Sequence, residues 1–199
     1  MKKNRVHSEA MEARSVDAIP SGKEWQYEPK WDGFRCLLTR DSGAISMYSK
    51  SGQDLARYFP ELVVAALTLR EKSFVLDGEI VVPVDGRLSF DDLLQRIHPA
   101  ASRVKKLAEQ TPVLFLAFDL LKKGKTELAA QPLSKRRPQL EQFATRHFFS
   151  KNLFRLSPAS LSLKDAERWL MSAGGGATAS SRNASIFRIK PVAVMGCRR

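Results

Sequence analysis

The octapeptide Glu28-Pro29-Lys30-Trp31-Asp32-Gly33-Phe34-Arg35 sets four charged residues around a tryptophan, a glycine and a phenylalanine. It follows an aromatic approach at Trp25 and Tyr27. Asp-Gly is a strong turn dipeptide, so the plain reading is a polar turn joining two strands, Trp25 to Lys30 and Phe34 to Arg40. The sharper reading is a reactive lysine. An amine attacks phosphorus only when unprotonated, and a free lysine titrates near ~10.4. Burial beside cations or in an apolar pocket lowers that value. Trp31 and Phe34 are the expected walls, and Arg35 is placed to reach a phosphate or ribose.

Working outward, Ile45 to Lys50 alternates like a strand after the Asp41-Ser42-Gly43 turn. Pro60 can open a helix in the run that follows Tyr58-Phe59. Phe74 to Val84 reads as a strand pair closed by a turn at Asp85-Gly86. Within it, Glu79 is costly to bury unless it meets a sugar hydroxyl, a metal or a cation; an acid on the solvent face of a hairpin is the other possibility. Ser89 caps a helix running to Ile97, with an acid at the third following position. Val113 to Leu121 is apolar except for Asp119 and reads as a buried strand, with Phe118 either core or an aromatic face. Leu133 to Phe148 and Leu163 to Met171 read as amphipathic helices. Without a regular βαβ beat, the fold class is α+β with largely antiparallel sheets.

The 199 residues carry 33 Lys and Arg against 21 Asp and Glu, a net charge of +12. That balance favours polyanionic partners, nucleic acid before membrane surface. Five of those charges (Arg182, Arg188, Lys190, Arg198 and Arg199) fall in an acid-free stretch after Met171. Cys36 and Cys197 match no metal-ligand spacing and suit a reducing compartment. Neither a secretory signal nor a membrane-length apolar run is present, so the expected location is cytoplasmic, with no membrane partner. Residues 1–22 read as a polar leader, with Met11 a second candidate start.

Four ordered segments then resemble the ATP-dependent DNA ligases of the bacterial type. E-P-K-W-D-G-F-R resembles their nucleotidyl-lysine motif, and S-K-S-G-Q-D-L-A-R-Y-F-P-E-L the segment that follows it. V-L-D-G-E-I-V-V and F-L-A-F-D-L-L resemble the third motif and its aromatic neighbour, with F-D-D-L-L-Q-R between them. Capping enzymes share only the lysine motif. The resemblance implies a nucleotidyltransferase (ATP-grasp-like) adenylation domain, here residues 23–173. Its implied chemistry is a lysyl-AMP intermediate on Lys30, then nick sealing in DNA repair, recombination or replication. The implied contacts are Glu28 to the adenine amino group, Arg35 and Glu79 to the ribose region, and Phe118 stacked on the base. Lys50 stands where the family often carries arginine. Implied cofactors are ATP with Mg2+ or Mn2+, Glu79 serving as metal ligand; the implied partner is nicked double-stranded DNA, met as a monomer.

The resemblance also implies a D/E-G-V-x-A-K-R segment, a later K-x-K pair and an OB-fold domain, none of which can be read in the chain. Residues 174–199 lose all periodicity. Read one nucleotide earlier, codons able to encode Thr178 to Ile189 can spell D-G-V-V-A-K-R-L-D-L-P-Y, the missing motif in its expected place. The expectation is therefore a tail out of frame beyond about Gly174, leaving a domain incomplete at its C-terminus and impaired in sealing. A non-catalytic remnant that binds ATP or DNA is the alternative. A membrane-surface protein lacks the basic amphipathic helix it would need.

Overall fold

In the computed structural model the described residues are 19–149, 152–174 and 197–198. The leader up to residue 18 and the proposed out-of-frame stretch, apart from residues 174, 197 and 198, lie outside them. The fold is α+β, a largely antiparallel sheet flanked by helices, as expected. Strands β2 (Phe34–Asp41), β3 (Ala44–Ser49), β4 (Ser73–Val81), β7 (Leu114–Lys123) and β8 (Thr126–Glu127) form one sheet in the order β3-β2-β4-β7-β8. Strand β9 (Phe154–Leu156) joins β7 in parallel. Helices α1 (Pro60–Thr68), α2 (Phe90–Gln95), α3 (Ala101–Gln110), α4 (Leu133–His147) and α5 (Leu163–Gly174) complete the order. A short hairpin, β5 (Pro83–Val84) and β6 (Arg87–Leu88), turns through Asp85 and Gly86, both at positive φ, the backbone a tight hairpin turn demands.

The period of two along β2 and β4 decides what each face carries. In their register Arg35 lies opposite Glu79, Leu37 opposite Asp77 and Leu38 opposite Leu76. Cys36, Leu38, Leu76 and Ile80 therefore point into the main core, where they meet Leu62 and Ala66 of α1, Leu93 of α2, and Leu140 and Phe143 of α4. Burial there, with Asp77 and Glu79 nearby, pushes the Cys36 thiol well above its usual range. Arg35, Asp77 and Glu79 are left on the opposite face.

Helix α2 starts as read: Ser89 Oγ accepts from the Asp92 amide at 3.2 Å. Pro60 opens α1. The hairpin expected at Asp32-Gly33 is absent. Strand β1 (Trp25–Gln26) pairs with β10 (Cys197–Arg198), not with β2, and residues 27–33 run outside the main sheet. Gly33 serves close approach instead of a turn: a Cβ there would stand 2.3 Å from the Ile80 carbonyl oxygen. Gly78 does the same inside β4, and the strand pair expected over Phe74 to Val84 is instead the single strand Ser73–Val81 followed by β5. Helix α3 and strand β9 were not foreseen.

An alanine at Gly78 would place its Cβ 2.4 Å from the Phe115 ring and 2.7 Å from the Leu116 carbonyl. Gly78→Ala is expected to cost about 1–3 kcal/mol by overpacking. Urea unfolding checks it: the midpoint falls while the slope holds.

Candidate active site

Two anchors fix the chain on either side of Lys30. Upstream, Tyr27 is buried and exchanges backbone hydrogen bonds with Ser160 at 2.8 and 2.9 Å, while its hydroxyl donates to the Pro20 carbonyl. Downstream, Trp31 Nε1 donates to Ser157 Oγ at 2.8 Å and Gly33 lies against β4. Lys30 stands between them and is exposed, so the expected burial is not what this chain provides. Rigid flanks, not enclosure, hold the amine.

On the sheet face beside it, Arg35 Nε and Nη2 grip the buried Asp77 carboxylate at 3.1 and 2.7 Å. The same guanidinium lies over the Phe118 ring, 5.6 Å from its centre, a geometry that adds cation–π attraction. Phe118 reaches this face because β7 is bulged against β4 between the Asp77–Asp119 and Gly78–Ala117 pairs. Desolvation pushes the Glu79 carboxyl up to about 8, countered most by the Lys30 ammonium and next by Arg35. Asp77 is raised too, again by burial, and held down by Arg35. Lys30, Arg35, Glu79 and Phe118 thus form one electrostatic group, with Asp77 as its unforeseen fifth member. Two carboxylates two residues apart on a strand share a face, and that spacing was the available signal.

Lys50 is exposed and lines, with Arg35, Gly33, Ser51, Gln53 and Ile97, a cavity of about 540 Å3. Ile97 is delivered there by a buried network. Arg96 donates to the Tyr58 carbonyl and to Glu61 Oε2, both at 2.9 Å, and lies 5.1 Å from the Phe59 ring centre. The Y-F-P-E-L segment, which has no chemistry of its own, is thereby the brace between α1 and the end of α2.

Glu28 sits in a separate set of polar neighbours, Gln26, Arg137, Arg136 and Asp119. It is buried, its carboxyl raised to about 7 by desolvation and held down chiefly by Arg137. Asp119, the one carboxylate of the aromatic motif, is tied up in an ion pair. Arg136 grips it with Nη2 at 2.7 Å and Nε at 2.9 Å, and also ties down the Ala129 and Gln131 carbonyls. No group of three or more potential metal-ligating side chains occurs among the described residues. Magnesium at nucleotide sites usually takes only one or two carboxylates plus phosphate oxygens. Glu79 fits that lone role.

A cavity edged by Arg35 and Lys50, a lysine clamped on both sides, an arginine–carboxylate pair and an aromatic face are groups that suit a phosphorylated ligand carrying a ring. The sequence matches the model of the ATP dependent DNA ligase domain over residues 8–169, and the chain belongs to that family. It is similar to DNA ligase C2 of Mycolicibacterium smegmatis, 48% identical over 159 residues, and to DNA ligase C of Mycobacterium tuberculosis, 42% identical over 160. Each alignment covers 80% of this chain and 44% of the relative, so the chain spans under half the length of these relatives. Among solved structures it resembles the ligase domain from M. tuberculosis LigD, with a TM-score of 0.50 and 28% identity, covering 68% of this chain and 39% of that one.

The raised Glu79 carboxyl makes stability depend on pH. Between 4.5, its ordinary value, and about 8 the folded state holds a proton that the unfolded chain has released. Stability therefore falls as pH rises through that window, by at most about 1.4 kcal/mol per pH unit for this one proton. Glu28 acts in the same direction up to about 7. Unfolding Glu79→Gln in urea at a series of pH values between 5 and 8 is expected to give a shallower decline than the parent chain.

Proposed function

We propose that this chain carries the adenylation chemistry of DNA joining. Lys30 Nζ attacks the α-phosphorus of ATP; the P–N bond forms as the α–β phosphoanhydride breaks and pyrophosphate leaves. The amine proton passes to solvent, which the exposed side chain reaches directly. Arg35, tied to Asp77, and Glu79 face the ribose region, Phe118 offers its ring to the base, and Glu28 accepts from the adenine amino group. Lys50 supplies a point charge to the phosphates from the cavity rim. Glu79 would hold a magnesium or manganese ion, which would supply charge neutralisation on the phosphates. What supports this reading most is the clamp on both sides of Lys30, which orients a reactive amine beside Arg35 and Glu79.

In the whole reaction AMP passes to the 5′-phosphate of a nick in duplex DNA, and the 3′-hydroxyl displaces it to join the strand. That later chemistry, its setting in repair, recombination or replication, a monomeric state and a cytoplasmic, nucleoid-associated location are proposals for the parent activity. We further propose that residues 174–199 are encoded out of frame and that sealing by the 199-residue chain is lost or very weak. The nucleotide sequence tests the first point: a stop codon in the neighbouring frame between codons 177 and 190 rules it out. Robust joining of a nicked duplex by the purified chain rules out the second. The competing reading is a remnant that binds ATP or DNA without reacting, and the exposed setting of Lys30 favours giving it a hearing.

Incubation with α-labelled ATP and Mg2+ separates the two. A covalent AMP adduct is expected, abolished in Lys30→Ala and stable to denaturation; intact mass gives the same answer. An adduct that persists in Lys30→Ala would assign the chemistry elsewhere.

A further inference from the structure

Arg137 of helix α4 reaches the buried Glu28, and its bonds are unequally filled. Nε donates to Glu141 Oε1 at 2.8 Å and Nη2 donates to the Ser157 carbonyl at 2.8 Å. Nη1 has no hydrogen-bond partner although it is buried, and stands 3.6 Å from Glu28 Oε1. Glu28 is 4% exposed and Arg137 5%. The Gln26 amide donates to the same Glu28 oxygen at 2.6 Å. Beside this trio lies a cavity of about 440 Å3 lined by Gln26, Ser134, Arg137, Pro138, Glu141 and Ser160. An arginine pinned by two of its three nitrogens, its third held toward a buried carboxylate, cannot swing away without breaking charge-assisted bonds.

We propose that Arg137 is the positioning residue for base selection: it holds Glu28 as a fixed carboxylate acceptor, so that the site takes a nucleotide whose base presents an amino group over one that presents a carbonyl. The inference rests on the reading of the site as an ATP site. An ionised carboxylate only accepts hydrogen bonds, whereas its protonated form also donates. Adenine offers its exocyclic amino group where guanine offers a carbonyl oxygen. Glu28 is therefore selective for adenine only while charged. The charges bearing on it are Arg137 and Arg136 of α4, which favour the ionised form, and Asp119 of β7, which opposes it; the Gln26 amide of β1 also favours it. Arg136 is spoken for by Asp119. Arg137 is left to do this.

The test is calorimetric binding of ATP and of GTP to the 199-residue chain and its variants, in two buffers of different ionisation heat. With the Glu28 carboxyl near 7, ATP binding at pH 7 is expected to release about half a proton from this group. In Arg137→Met that release grows and the ATP-over-GTP preference drops about tenfold, the worth of one hydrogen bond to a charged group. Raising the pH to 8.5 restores part of the preference. Arg137→Lys retains more of it than Arg137→Met, and Glu28→Gln releases about half a proton less than the parent chain. If Arg137→Met fails to fold by circular dichroism, Arg137→Lys and Glu28→Gln decide. A folded Arg137→Met with the parent's ATP-to-GTP ratio and proton release overturns the proposal, as does Glu28→Gln with unchanged proton release. Parent chain that binds neither nucleotide overturns the ATP reading itself, a different failure.

Discussion

The pairing of β2 with β4 is the constraint from which the site follows. Side chains alternate strictly along both strands, so one register sends Cys36, Leu38, Leu76 and Ile80 inward and leaves Arg35, Asp77 and Glu79 together on the other face. A slip of one residue would exchange the two sets, burying charge in the core and exposing its apolar partners. Two glycines make the pairing possible at close range. Gly33 lets the lysine segment settle against the Ile80 carbonyl, and Gly78 lets Phe115 cross the strand. The Arg35–Asp77 grip then locks the register chemically, because it forms only when residues 35 and 77 share a face.

Four of the 33 cationic residues are held inside the described part of the molecule. Arg40, Arg96, Arg136 and Arg137 are all buried. Arg40 donates to the Ala66 and Leu69 carbonyls at the end of α1, where the helix dipole is negative. Arg96, Arg136 and Arg137 meet Glu61, Asp119 and Glu28. Arg40 and Arg136 join a helix to the sheet, Arg96 joins the end of α2 to α1, and Arg137 joins α4 to the lysine segment; each would leave a stranded partner if removed. The +12 charge speaks of polyanionic partners only in sum, for these four cations are cross-braces and not part of any exposed basic surface.

The legibility of the chain divides along the same line. Elements set by local rules were readable: the Ser89 cap, Pro60 at the head of α1, the apolar run of β7 and the Asp85-Gly86 turn. Asp32-Gly33 was misread as a hairpin because glycine there answers a contact 47 residues away, which no dipeptide rule contains. Strand β9 escaped because three residues carry no period. Lys30, Glu79 and Phe118 were nominated from motif order; Asp77 was not, although its place two residues before Glu79 was the available signal. Arg136 and Arg137 sit on a helix that reads as merely amphipathic; only the folded chain reveals that they meet carboxylates 17 and 109 positions away.

Cys36, next to Arg35 and sealed in the core with its thiol pushed upward, has a practical consequence. Its sulfur is unreactive as long as β2 stays seated, and meets an alkylating reagent only when that ladder parts. The chain therefore carries its own clock for the opening of the very strands that hold the site, readable as the rate at which one sulfur is capped.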